Sequence, residues 1–120
     1  MILAALALAS AAPAEDPDLR CLAAVAAVLG IAAEKKSDDA ESIAGLTGIF
    51  MYYLGRVDAH RPGFDYGKTL GSMMNAPDYT KRLPADLKRC GGEAEERGQM
   101  LKDLGEQLKG SAPLTQVRPG

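Results

Sequence analysis

From Asp16 to Leu108 the apolar residues recur at intervals of three and four, in runs separated by short stretches rich in Pro, Gly, Asn and Asp. This spacing lines apolar side chains along one face of an α-helix. It is incompatible with the period-two alternation of a half-buried strand. β-Branched and aromatic residues, which favour strands, are also few. The chain is therefore expected to be all-α.

Four helices are predicted. Asp16 followed by Pro17 supplies an N-cap and a first-turn proline, opening a helix to about Ala33 with Cys21, Val25, Val28 and Ala32 on one face. Ser37 or Asp38 caps a second helix, marked by Ile43, Leu46, Phe50, Leu54 and Val57 and running to about His60. Arg61-Pro62-Gly63 breaks the chain. Asp65 then caps a shorter helix presenting Tyr66, Leu70 and Met73, which Asn75-Ala76-Pro77 ends. One further turn fits before Pro84. From Leu83 the apolar positions 83, 87, 90, 94, 101, 104 and 108 define the longest helix, interrupted at Arg97. Such one-sided helices bury their faces against one another, so the expected architecture is a compact four-helix bundle over 15–109, or five helices counting the extra turn. The segment 110–120 has two prolines and no periodic face and is expected to be a disordered tail.

Residues 1–14, MILAALALASAAPA, carry no charged side chain, and an apolar run is followed by small residues, with Ala12-Pro13-Ala14 fitting a small-x-small cleavage site. They are expected to be a signal peptide. The later uncharged runs are too short to cross a bilayer, so the mature chain is expected to be soluble, and periplasmic or secreted. In an oxidising compartment two cysteines in a small domain pair, which assigns a disulfide between Cys21 and Cys90, joining the first helix to the last. Gly91, Gly98 and Gly105 are spaced by seven, as are Gly48 and Gly55. Each glycine weakens a helix by roughly 1 kcal/mol relative to Ala, and the two rows suggest close packing of the second and fourth helices.

The inventory of reactive side chains is small. With 14 Lys and Arg against 16 Asp and Glu the formal charge is −2, which gives no general basis for neutralising nucleic-acid phosphates. His60 is the sole histidine, so no histidine pair can be built for zinc, and it stands where a helix C-terminus favours a cation. Asp58 and Asp65 lie near it in sequence, yet no serine stands in a nucleophile-elbow context. Gly67-Lys68-Thr69 resembles the end of a phosphate loop but has Pro62 where that loop needs its first glycine. Lys81-Arg82 and Lys88-Arg89 fit a solvated helix face. No metal, no cofactor and no catalytic residue is expected. What remains is apolar: Phe50, Met51, Tyr52, Tyr53, Met73 and Met74 combine flexible and amphipathic side chains of the kind used on adaptable binding surfaces, and equally suit a core short of Leu and Phe.

The cysteine-bearing segments Asp18-Leu19-Arg20-Cys21-Leu22-Ala23 and Leu87-Lys88-Arg89-Cys90, set in a small secreted helical domain, resemble in layout the periplasmic acid-stress chaperones of the HdeA type. Tyr52-Tyr53-Leu54-Gly55-Arg56 departs from that pattern, and the last helix is long for it. The chain also resembles small secreted helical proteins of proteobacteria. The chaperone resemblance implies a dimer that opens at low pH and binds unfolding clients. The expected function is therefore that of a non-enzymatic protein that binds other proteins, as a stress chaperone or an inhibitor. The alternative is a carrier holding a small apolar ligand between the second and third helices.

Overall fold

A computed structural model describes residues 12–35 and 39–111. The expected signal peptide lies, up to residue 11, outside the described residues, as do the candidate caps Ser37 and Asp38 and the expected tail from residue 112. Among the described residues there are four α-helices and no strand: α1 Pro17–Glu34, α2 Ala40–His60, α3 Tyr66–Met74 and α4 Tyr79–Leu108, with a 3-10 turn Pro13–Glu15 before α1. A disulfide joins Cys21 of α1 to Cys90 of α4.

Aspartates set the starts of three helices. The Asp16 carboxylate accepts from the backbone N–H groups of Asp18 and Leu19, the Asp39 carboxylate from Ser42, and that of Asp65 from Lys68. Each satisfies a donor that the first helical turn leaves without an intrahelical partner. The α2–α3 turn passes through Gly63 at φ 73°, a conformation that side chains with a Cβ rarely adopt.

One cap and one boundary differ from the expectation: α2 is capped by Asp39 rather than by Ser37 or Asp38, and the break at Pro84 is absent. The extra turn before Pro84 and the long helix after it are a single element, with Pro84 inside α4. The proline removes the donor that would serve the Thr80 carbonyl. Thr80 is exposed and is only the second residue of the helix, where the loss is cheapest.

The chain divides within α4 into two compact units, one ending at Lys88 and one beginning at Arg89. In the first unit the core is built on the N-terminal half of α1. Leu19 and every residue from Cys21 to Val25 are buried, so this half is covered all round rather than along one face. Ala23 and Ala24 make that possible, because they let neighbouring segments approach on the sides where larger residues would stand. Tyr53 and Val57 of α2 are the other large buried contributors. Two polar contacts tie the start of α4 to α1. The Tyr79 hydroxyl donates to the Ala23 carbonyl at 3.2 Å, and the Arg20 guanidinium grips the buried Asp86 carboxylate with two nitrogens at 2.5 and 3.3 Å. The fork matches guanidinium to carboxylate and satisfies the buried charge.

In the second unit α4 continues to Leu108. Its apolar residues Met100, Leu101, Leu104 and Leu108 are exposed.

Candidate functional site

Two features of the described residues could act on something outside the chain: a charged cluster at the start of α1 and the apolar face of α4.

The cluster is organised around Asp16, which is buried. Besides capping α1, its Oδ2 accepts from His60 Nε2 and Arg61 Nε, both at 2.9 Å. Next to it, Arg56 Nε donates to Asp18 Oδ1 at 2.9 Å. One aspartate thereby holds the beginning of α1 against the end of α2. His60 Nδ1 lies 2.7 Å from the Arg56 carbonyl. A carbonyl can only accept, and so can an ionised carboxylate, so the two contacts are both satisfied when the ring is protonated and donates from each nitrogen.

The pKa directions agree with this geometry. Burial of Asp16 opposes its ionisation, but the hydrogen bonds from His60, the Leu19 amide, Arg61 and the Asp18 amide outweigh burial and hold the carboxyl below its ordinary 3.8. His60 is raised above its ordinary 6.5, chiefly by its hydrogen bond to Asp16. The raised His60 value stabilises the fold fully below 6.5, and that contribution is lost as pH rises through the folded value. Asp16 has the opposite sign: its contribution is complete above 3.8 and lost as pH falls through the depressed value. The urea midpoints of the parent and of His60→Ala should therefore differ most between the lowered Asp16 value and pH 6.5 and converge on either side. A difference independent of pH would show that the ring acts by packing alone.

Asp16, Asp18 and His60 each present a ligand atom within 4.8 Å of one another, close enough to enclose a metal ion. The charge balance opposes it, because Arg61 and the His60 imidazolium already share Asp16 Oδ2 and Arg56 holds Asp18. A metal would have to displace three cations from two carboxylates. The cluster is an ion-pair network that fastens two helices.

On α4, Met100, Leu104, Leu108 and Leu101 fall within an arc of about 100° at 3.6 residues per turn, with Arg97 in its middle. Their exposures are 50%, 46%, 44% and 64%. An open groove beside this arc is lined by Glu96, Gln99, Met100, Asp103, Leu104 and Gln107. Four large apolar residues along three turns of one helix form the most prominent exposed apolar stretch among the described residues.

The apolar residues singled out from the sequence differ in burial. Tyr53 is buried in the core, Met51 is exposed, and Phe50, Tyr52, Met73 and Met74 are half-buried. Tyr52 stacks edge-on against Tyr53 with centroids 5.0 Å apart and carries the Arg56 guanidinium over its ring. Met73 faces a small hollow of about 40 Å³ that it shares with Arg20, Ala23, Tyr79, Arg82 and Asp86. That space takes a water or two, whereas small-molecule sites run from roughly 300 Å³ upward. At the glycines of the two rows, Gly48, Gly55, Gly91, Gly98 and Gly105, an added Cβ would meet no heavy atom of the described residues within 4 Å. Conversely, the α4 face reads in the sequence as core. Its signal is the alternation of threes and fours running past Cys90 to Leu108, interrupted among apolar residues only at Arg97.

No family model, no curated protein and no solved structure matches the chain.

Proposed function

We propose that the chain is a non-enzymatic protein of an oxidising compartment, periplasmic or secreted, that binds other proteins, as a stress chaperone or an inhibitor, through the apolar face of α4. The observation that carries this reading is the exposure of Met100, Leu101, Leu104 and Leu108 along one stretch of helix, since contiguous apolar surface on a small domain commonly marks a protein-binding site. The disulfide supports the compartment, and no helix among the described residues is long and apolar enough to cross a membrane. Both ring nitrogens of His60 are engaged within the chain, by the Arg56 carbonyl and by Asp16, which supports a fastening role for this side chain.

The layout resemblance to acid-stress chaperones adds a direction. Protonating Asp16 in acid leaves the His60 and Arg61 cations without their shared acceptor and loosens the hold between α1 and α2. Light scattering of an aggregating client, with and without a stoichiometric amount of the disulfide-bonded chain, tests the reading. The chain should suppress aggregation more at about pH 2.5 than at neutral pH. The double variant Leu101→Glu with Leu104→Glu should lose more than half of that suppression at neutral pH, where the new carboxylates are charged. Wild-type protein that suppresses nothing at either pH would overturn the chaperone reading.

A further inference from the structure

We infer that the α4 face pairs with the same face of a second copy of this chain, antiparallel, over residues 97–108. The inference rests on the reading of that face as a protein-binding surface and names its partner.

The first argument is the period. Positions 87, 90, 94, 97, 101, 104 and 108 alternate strict steps of three and four, the 3.5-residue repeat of helices that wrap around another helix. Cys90 is buried, but from residue 97 onward every position of the repeat is exposed. The spacing of a two-helix seam thus continues along side chains that are exposed.

The second argument is charge. Arg97 occupies a seam position. In a parallel pair it would face the same arginine of the other copy, which is repulsive. In an antiparallel pair centred between Leu101 and Leu104, each Leu101 meets a Leu104, and Arg97 lies beside Leu108 at the last turn of the opposite helix. The Glu106 and Leu108 carbonyls there accept from the Lys109 and Ser111 amides, and the negative end of the helix dipole favours a cation. The seam is thus complementary to itself in one orientation only.

The third argument is the glycines. Gly98 and Gly105 flank the seam on the side of Leu101, and a Cβ on either would meet open space. Antiparallel pairing places Gly98 opposite Gly105 of the other copy and the reverse, so the two backbones can approach along that flank. This accounts for glycines kept at helix-weakening positions, and each contact repeats across a two-fold axis, as a symmetric dimer requires.

The seam spans three turns, so the pairing belongs with small, weak interfaces in the micromolar range. Sedimentation equilibrium of the disulfide-bonded chain from low micromolar to millimolar concentration should show a reversible shift from 12.6 kDa toward twice that mass. Leu104→Glu, at an exposed position, should weaken dimerisation more than tenfold. Gly98→Leu should weaken it too while raising helicity by circular dichroism, a combination that mere damage to the helix would not produce. A chain that stays monomeric throughout, or a dimer indifferent to Leu104→Glu, overturns the inference. The client assay separates this from the broader reading. A monomer that loses client suppression in the Leu101→Glu, Leu104→Glu variant removes only the pairing. A dimer without client suppression keeps the pairing and removes the chaperone.

Discussion

Reducing the bond between Cys21 and Cys90 should remove about 4 kcal/mol of stability, because the bond closes a loop of about 70 residues and so withdraws much of the unfolded chain's freedom. The effect is large relative to what else holds the fold. Apart from the cysteines, the largest fully buried side chains are only Tyr53, Leu19, Leu22 and Val57, and small domains rarely exceed a net stability of 5 to 15 kcal/mol. Both cysteines are buried, and as thiols they still fill their space, so the loss is of the covalent constraint rather than of packing. Urea unfolding followed by circular dichroism, with and without reductant, measures it. A midpoint that barely moves would mean that the reduced, unfolded chain is already held in a compact ensemble. The Cys21→Ala, Cys90→Ala variant should fall further than reduction alone, since it also removes the two buried sulfurs.

The helices were largely legible in the sequence because their signals are local. Asp16 with Pro17, and Asp65 ahead of Tyr66, announce caps within a few residues of the turns they serve. Pro84 was misleading for the same reason: a local breaker was outweighed by a helix already begun at Tyr79 and anchored through the Tyr79 hydroxyl and Asp86 to α1. The contacts that organise the charged cluster were not legible. Asp16 is 44 residues from His60, and the nearer aspartates go elsewhere, Asp58 accepting from Tyr66 and Asp65 capping α3. Tyr66, through burial and this bond to Asp58, is pushed up to about 12. Periodicity shows which face of a helix is apolar but not what covers it. In α1 the neighbours close around both sides, so Leu22, Ala23 and Ala24 are as buried as Cys21. In α4 the same kind of stripe meets solvent from Met100 to Leu108. Met51, Tyr52 and Tyr53 show the ambiguity within three residues, running from exposed through half-buried to buried.

Replacing Asp16 by alanine should cost about 3 kcal/mol, combining loss of an N-cap, about 1 kcal/mol, with removal of one partner from a largely buried ion pair. His60 and Arg61 keep part of their surface in water, which holds the cost at the lower end of the range for such pairs. Asp16→Asn divides the two contributions. An asparagine oxygen can still cap the Asp18 and Leu19 amides but carries no charge for His60 and Arg61, so Asn should restore about 1 kcal/mol relative to Ala. The imidazole should respond as well. Without the carboxylate that raises it, the His60 pKa followed by proton NMR should fall back toward 6.5 in both variants. If His60 stays raised in both variants, the Arg56 carbonyl and Asp18 hold the imidazolium, and if the two variants are equally unstable, the cap contributes nothing that an asparagine can restore. If Asn behaves as the parent, the charge adds nothing to the cap, and the acid sensitivity argued for the hold between α1 and α2 has to come from other carboxylates.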